Sequence, residues 1–262
     1  MFVIIIVSFL IGLIFAPLGR LALWQRYVYL GDGLAHASML AGIISIMMGI
    51  PLFYAGLLSS GLFALTIFKL RNNSGNNAAI ALTSSVMISV SLILSHFYPD
   101  KINITRYLVG DIIAANMQDI QLLLSILAVV LIFFASSYKE LILIILSKDV
   151  AASRGIKVKF LELIFLAILS FAVLSTIKIV GALLVTSTIV IPAMIARIIA
   201  KSPLVMIGLA IIFSIIMNFF GVLLSFYGDI PFSPAIIIAG GALYISIFSI
   251  KYFNKKCKNN IF

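Results

Sequence analysis

Asp32 and His36 carry the strongest chemical signal in this sequence. Both lie in the apolar stretch 27–50, which is long enough to cross a bilayer. Their spacing places the two side chains on one face of a helix, one turn apart. In hydrocarbon each ionisable side chain costs at least a few kcal/mol, so such a pair predicts a functional site.

An acid and an imidazole offer a metal ion one oxygen and one nitrogen ligand. This mixture suits zinc, manganese or ferrous iron and is poor for cuprous ion. If the span begins near Arg26, Asp32 lies ~9 Å and His36 ~15 Å into a core about 30 Å thick, close to the depth of transporter sites. Two ligands would hold a passing ion weakly enough to release it. The structural alternative is that Asp32 caps the helix and a buried His36 bonds to a carbonyl.

A second, weaker group of candidate metal residues is predicted at the outer mouth of the protein. It comprises His96, Asp111 and Asp229, with Asp100 and Asp119 nearby in the sequence. Negative side chains at a mouth concentrate cations. The alternatives are structural, since Asp119 can cap a helix and Asp229 can belong to a Gly-Asp turn.

The composition predicts the environment in which these residues act. The chain is 63% hydrophobic and only 10% charged, with a mean hydropathy of +1.27. That leaves too little polar surface for a water-soluble globule of 262 residues. The net charge of +10 is spread between apolar runs, which favours a lipid bilayer over nucleic acid as the partner.

Nine apolar runs of spanning length predict an all-α polytopic membrane protein with about eight to nine transmembrane helices, organised as one domain over 1–262. The first run lacks a basic leader and a small-residue cleavage site, so we expect it to be a retained span. The runs lie at 2–19, 27–50, 52–68, 78–98, 120–137, 161–178, 179–199, 204–227 and 235–250.

The distribution of basic residues predicts the orientation. With a cytoplasmic C-terminus and nine spans, 15 of the 18 lysines and arginines lie on the inside. Only Lys101, Arg106 and Lys178 lie outside. We therefore expect a multi-pass protein of the inner membrane with an extracytoplasmic N-terminus.

The inside segment 138–160 differs from every other predicted loop. It is amphipathic, mixes both charge signs and contains the small residues Ala151, Ala152 and Ser153 before Gly155. A short helix of this kind either docks into a partner protein or lies on anionic lipid.

No motif for catalysis or nucleotide binding is present. The sequence has no G-x-x-x-x-G-K-[ST] stretch to cradle ATP phosphates. It has two histidines and one cysteine and no nucleophile constellation, so we expect neither an enzyme nor a cofactor. Pro192 is expected to kink or break its span, with Thr186, Ser187 and Thr188 bonding the freed carbonyls.

Three separated stretches resemble one known family. They are PLGRLALWQRYVYLGDGLAHASMLAG at 17–42, YLVGDIIAANMQDI at 107–120 and VGALLVTSTIVIPAMIAR at 180–197. In order and spacing they are similar to motifs of the permease subunit of high-affinity zinc ABC importers, within the zinc/manganese ABC permease family.

The resemblance implies a permease homodimer with a separate ATP-binding subunit and an extracytoplasmic metal-binding protein. It also implies that 138–160 is the coupling segment, that Asp32 and His36 lie on the translocation path, and that Zn²⁺ is the transported ion. Zinc-type relatives often carry a histidine in the fourth span, where this chain has LTSSV at 82–86, so manganese and iron stay open.

Two other classes of function are compatible with the residues. A stand-alone proton-coupled metal carrier would use Asp32 as its proton site. A non-transporting membrane anchor would need only the 138–160 helix.

Overall fold

The computed structural model describes residues 2–25, 27, 29–97, 110, 112, 115–181 and 185–259, which fold into ten helices. In chain order these are α1 (Phe2–Trp24), α2 (Leu30–Met48), α3 (Leu52–Ser74), α4 (Asn76–His96), α5 (Met117–Leu146), α6 (Lys148–Ser153), α7 (Val158–Val180), α8 (Val185–Ile199), α9 (Pro203–Gly228) and α10 (Phe232–Asn259).

Eight of the described helices are long and apolar enough to cross a membrane, namely α1 to α5, α7, α9 and α10. Each coincides with one of the nine predicted runs, and the ninth run falls on α8. The predicted all-helical class is therefore confirmed.

α8 is the exception in length. Its 15 residues measure about 22 Å, less than the ~30 Å of a hydrocarbon core. Pro192 lies inside α8 without ending it, so the break predicted there is not seen, and α7 instead ends at Val180, just before Gly181. Thr188 bonds the carbonyl of Val185 (2.7 Å), which is not the carbonyl freed by Pro192, because proline removes the bond to the residue four positions earlier.

Contacts of α7 and α8 with other helices show where α8 begins. Lys178 pairs with Asp119 at the start of α5 (2.9 Å), whereas Glu162, ~24 Å back along α7, belongs to a polar network at the start of α2. Thr186 bonds Asp32 in the first turn of α2. α8 therefore begins beside the first turn of α2, at the level of Asp32.

The helices pack around an apolar core. α2 contacts α3, α4, α7 and α8, while α1 contacts α5, α8 and α9, and α10 packs on α8 and α9. Phe15, Leu34, Phe63 and Phe165 are completely buried at these contacts. Large apolar side chains are exposed on the outer faces of α3, α4, α5 and α9, for example Leu65, Val86, Ile132 and Phe219, as hydrocarbon or a partner helix requires.

The segment 138–160, predicted as a loop, is largely helical. Its first part continues α5 to Leu146, and Ser147 then breaks the helix and caps α6 by accepting a hydrogen bond from the Val150 amide (3.4 Å). Gly155 adopts a φ of 78°, which a non-glycine residue rarely tolerates. This turn sends the chain into α7, so the six-residue α6 projects between two long helices.

Candidate metal-ion site

The Asp32/His36 site is formed by the first half of α2. The N-cap residue of α2 is Tyr29, whose side chain makes no capping bond. Asp32 lies in the first turn, where the helix dipole stabilises a carboxylate by about 0.3–1 kcal/mol. Asp32 is exposed and His36 is half-buried.

Asp32 is held by a residue from another helix. The Thr186 hydroxyl donates a hydrogen bond of 2.6 Å to Asp32 Oδ1. Within the described residues Asp32 Oδ2 has no hydrogen-bond partner, so one carboxylate oxygen is positioned and the other is available. Sequence reasoning assigned Thr186 to a backbone carbonyl and missed this role.

His36 has an unpaired ring nitrogen. Nδ1 is shielded from solvent and makes no hydrogen bond within the part of the chain described above. Leaving a buried polar atom unpaired costs about 1–3 kcal/mol. The structural alternative, in which Asp32 caps α2 and His36 bonds a carbonyl, is not what the structure shows.

The two side chains share a cavity of about 360 Å³ between α2 and α4. Its wall combines them with apolar and small polar side chains, and its lining residues are Tyr29, Asp32, Gly33, His36, Asn77, Ile80, Ala81 and Ser84. Asn77 and Ser84 add oxygens that the sequence did not single out. The Ser84 hydroxyl donates to the Ala81 carbonyl (3.0 Å), which leaves its lone pairs free.

Two glycines let α2 approach its neighbours at the site. A Cβ at Gly31 would overlap the Thr186 side chain. A Cβ at Gly33 would lie 2.7 Å from Phe63 Cζ and 3.0 Å from Ile80 Cγ2. The contacts with Thr186 and Phe63 are closer than real Cβ atoms show, and the contact with Ile80 is tight. The packing of α2 against α8, α3 and α4 therefore depends on the absence of a side chain at these two glycines.

The weaker outer residues are not assembled into a site in the described part of the chain. Asp119 forms a capping box with Asn116 and pairs with Lys178, as the structural alternative predicted. Asp229 ends α9 with a φ of 51°, and His96 ends α4 with its ring 5.9 Å from Phe97. Asp111 and Asp100 lie outside the described residues.

Among the described side chains no three of His, Cys, Asp and Glu lie close enough to hold a metal ion together. A site at Asp32 and His36 therefore provides two such ligands in one chain. Weak binding of this kind suits an ion in transit better than a structural metal, which needs about four protein ligands.

The three stretches that resembled a known family meet one another in the fold. The first touches the third where Gly31 and Asp32 meet Thr186. The second touches the third where Gly110 packs on the backbone of Gly181. Gly110 and Gly181 have φ values of 72° and 85°, so the contact requires glycine for both space and conformation.

Comparison with known proteins gives a consistent family assignment. The model of the ABC 3 transport family matches residues 1–251. The chain is 28% identical over 247 residues to the high-affinity zinc uptake system membrane protein ZnuB of Buchnera aphidicola subsp. Schizaphis graminum, covering 92% of each chain. It is 27% identical over 268 residues to a probable iron transport system membrane protein of Haemophilus influenzae, covering 98% of this chain and 94% of the relative.

The fold is also found in a solved structure. PsaBC from Streptococcus pneumoniae in complex with Fab superposes with a TM-score of 0.83 at 20% identity, covering 94% of this chain and 90% of the matched chain. At this identity the likeness shows the fold.

Proposed function

The chain belongs to the ABC 3 transport family, and we propose that it is the membrane permease subunit of an ATP-driven importer that carries zinc across the inner membrane. Membership in a family of metal ABC permeases agrees with the eight apolar helices. The observation that supports the metal path here is the cavity that Asp32 and His36 both line, together with a ring nitrogen of His36 that has no partner in the described residues.

In the proposed mechanism the metal ion is the substrate and pauses at α2. Asp32 Oδ2 and His36 Nδ1 are the two unpaired ligand atoms, and Thr186 keeps the carboxylate in place. Two protein ligands would hold the ion weakly enough for it to leave. The mixed oxygen and nitrogen donors suit zinc, manganese and ferrous iron alike. Zinc is proposed because one relative named above is a zinc uptake protein, although another is an iron transport protein.

ATP hydrolysis is assigned to a separate subunit, because this sequence lacks a phosphate-binding loop. The proposed partners are that ATP-binding subunit on the 138–160 segment and an extracytoplasmic metal-binding protein on the opposite side. This arrangement places the C-terminus and α6 in the cytoplasm, in accord with the charge distribution.

A second copy of the chain is proposed to cover the site. Asp32 is exposed on the surface of a single chain, and a carboxylate facing lipid costs a few kcal/mol. A homodimer that joins the two α2–α4 faces would remove this cost and enclose the ion path between the copies.

The test is metal uptake by the complete complex in proteoliposomes. We expect His36→Ala and Asp32→Asn each to lower uptake by about 100-fold or more, because each removes a ligand rather than an outer-shell partner. Met39→Ala, on the same helix but outside the cavity, is the control and should keep uptake within about twofold. Normal uptake by both site variants, with normal insertion, would remove the pair from the mechanism.

The ion and the energy source are tested in the same assay. Zinc should inhibit uptake of the labelled ion at a lower concentration than manganese or ferrous iron does. If manganese or ferrous iron inhibits at the lower concentration, that metal is the transported ion. Uptake that needs ATP and the partner subunits supports the importer. Uptake by the purified chain alone under a pH gradient would instead favour a proton-coupled carrier.

A further inference from the structure

A buried polar network joins the short helix α6 to the start of α2. Glu162 on α7 is 3% exposed and lies between two cations. Arg71 at the end of α3 donates a hydrogen bond of 2.5 Å to Glu162 Oε2, and Lys148 Nζ on α6 lies 2.6 Å from Oε1. The same guanidinium donates a bond of 2.8 Å to the hydroxyl of Tyr27.

Tyr27 in turn is fixed to α2. Its carbonyl accepts a hydrogen bond from the Leu30 amide (3.1 Å), and its own amide bonds to the Ala22 carbonyl (2.8 Å). The side chain is 2% exposed and its ring lies 6.3 Å from that of Phe165. Burial raises the pKa of the Tyr27 phenol, which keeps the ring neutral as an acceptor. Asp32 follows five positions later in the chain.

The two ends of the network differ in strength. Arg71 and Glu162 are buried with good hydrogen-bond geometry, so they act as a rigid unit. Lys148 is 59% exposed at its side chain, and its contact with Glu162 is an ion pair without a well-directed hydrogen bond. A displacement of α6 would therefore break the Lys148 contact first.

We propose that Lys148, Glu162, Arg71 and Tyr27 are positioning residues that transmit movement of α6 to α2 and so to the Asp32/His36 cavity. The proposal rests on the function proposed above, since it assumes that an ATPase moves α6. It adds a defined path of three contacts. Lys148 of α6 pairs with Glu162 near the start of α7, Glu162 binds Arg71 near the end of α3, and Arg71 binds Tyr27 before α2. When Lys148 moves away, Glu162 loses one of its two cations and the Arg71–Tyr27 contact readjusts.

The network joins α6 to the corner between α3 and α4. A groove of about 630 Å³ is lined by residues of α6 on one side and by Arg71 and Asn76 on the other, and the ion pair of Lys148 with Glu162 lies at this groove. The corner is tied to the segment before α2 a second time, because Asn76 donates a hydrogen bond to the Gln25 carbonyl (2.9 Å). A shift of Arg71 would thus move the α3–α4 corner and the residues before α2 together.

The experiment compares Lys148→Ala with Lys159→Ala in the complete complex with its ATPase and binding protein. Both lysines line the same groove and both changes remove one positive charge, but Lys148 alone of the two pairs with Glu162 in the described structure. We expect Lys148→Ala to lower the number of ions taken up per ATP by about tenfold while ATP hydrolysis and complex assembly persist. Lys159→Ala should leave that ratio unchanged, and Lys148→Arg should restore it.

Tyr27→Phe tests the other end of the path, because it removes only the hydroxyl that accepts from Arg71. It should lower the same ratio, and combining it with Lys148→Ala should add little, since residues of one path are not independent. Equal effects of Lys148→Ala and Lys159→Ala, full additivity of the double variant, or loss of ATPase binding in Lys148→Ala would each overturn the proposal.

A second readout does not depend on transport. A cysteine at Ala81, which lines the cavity, is introduced into a Cys257→Ser background and labelled with maleimide in the presence and absence of ATP. ATP should change the labelling rate of this cysteine in the otherwise unsubstituted protein and in the Lys159→Ala variant. It should not change the rate in the Lys148→Ala variant. Absence of uptake by the unsubstituted complex would refute the proposed function, whereas an ATP-dependent rate unaffected by Lys148→Ala would refute the path alone.

Discussion

The Thr186 hydroxyl occupies one oxygen of Asp32 and leaves the other for the proposed metal ion. It binds Oδ1 at 2.6 Å, and it comes from a helix that starts at the depth of Asp32. An exposed carboxylate without a directed hydrogen bond would sample several rotamers. One directed bond restricts it, so that Oδ2 can act together with His36.

Replacing Thr186 by valine tests this positioning role. Valine has nearly the same shape without the hydroxyl, and a hydrogen bond to a charged group contributes about 1.5–3 kcal/mol, so we expect the apparent KM for zinc to rise by about tenfold or more. Thr186→Ser keeps the hydroxyl and should keep the KM. An unchanged KM in Thr186→Val, measured by uptake at varied zinc, would show that Asp32 needs no positioning.

At the scale of the element, α2 functions through the close approach of its neighbours. Gly31 and Gly33 let α8, α3 and α4 pack directly on its backbone. Larger residues here would displace the helix that carries both candidate ligands.

Gly33→Ala should therefore disturb both stability and transport. Its new methyl group would lie 2.7 Å from Phe63 Cζ, and overpacking of this kind costs about 1–3 kcal/mol. We expect a lower melting temperature in detergent and reduced uptake.

Gly61→Ala in α3 is the matched control, because a Cβ there meets nothing within 4 Å. Alanine is preferred over glycine in a helix by up to about 1 kcal/mol, so this variant should be as stable as the parent or more so. A similar loss of stability in both variants would show that packing at Gly33 is not special.

At the scale of the whole molecule, the cavity lies on a surface that a single chain leaves open. Asp32 and Ala81 are exposed there, next to apolar side chains on α4 such as Leu82 and Val86. A second copy would cover this face and complete the passage.

Cross-linking between copies tests the proposed dimer. In a Cys257→Ser background, a cysteine at Ala81 should form dimers with a short bismaleimide, because the two α4 helices would face each other. A cysteine at Ile132, exposed on α5, is the control and should stay monomeric. Dimers at Ile132 and none at Ala81 would move the interface to α5.

Some features of the fold follow directly from local sequence. Apolar length predicted the positions of the membrane helices, including the division of 161–199 near Gly181. A spacing of four placed Asp32 and His36 on one face, and both line the same cavity. The capping role of Asp119 was also among the stated alternatives and is seen.

Other features depended on which helices become neighbours. Helices that are apolar on almost every side do not reveal the face that meets a neighbour, so hydropathy could not pair Thr186 with Asp32, 154 positions away. The same holds for Arg71 and Glu162, which are 91 positions apart. The continuation of α5 to Leu146 was missed because the segment after 137 is amphipathic rather than uniformly apolar.

The sequence by itself thus determined a polytopic helical protein with an acid and an imidazole on one helix, because composition and helical period act over short distances. The tertiary structure alone decided that Thr186 holds the acid, that α8 begins beside Asp32, and that α6 is linked to the start of α2 through Glu162 and Arg71. These arrangements arise from packing between distant segments, where close approach at glycines and pairing of buried charges select one set of neighbours.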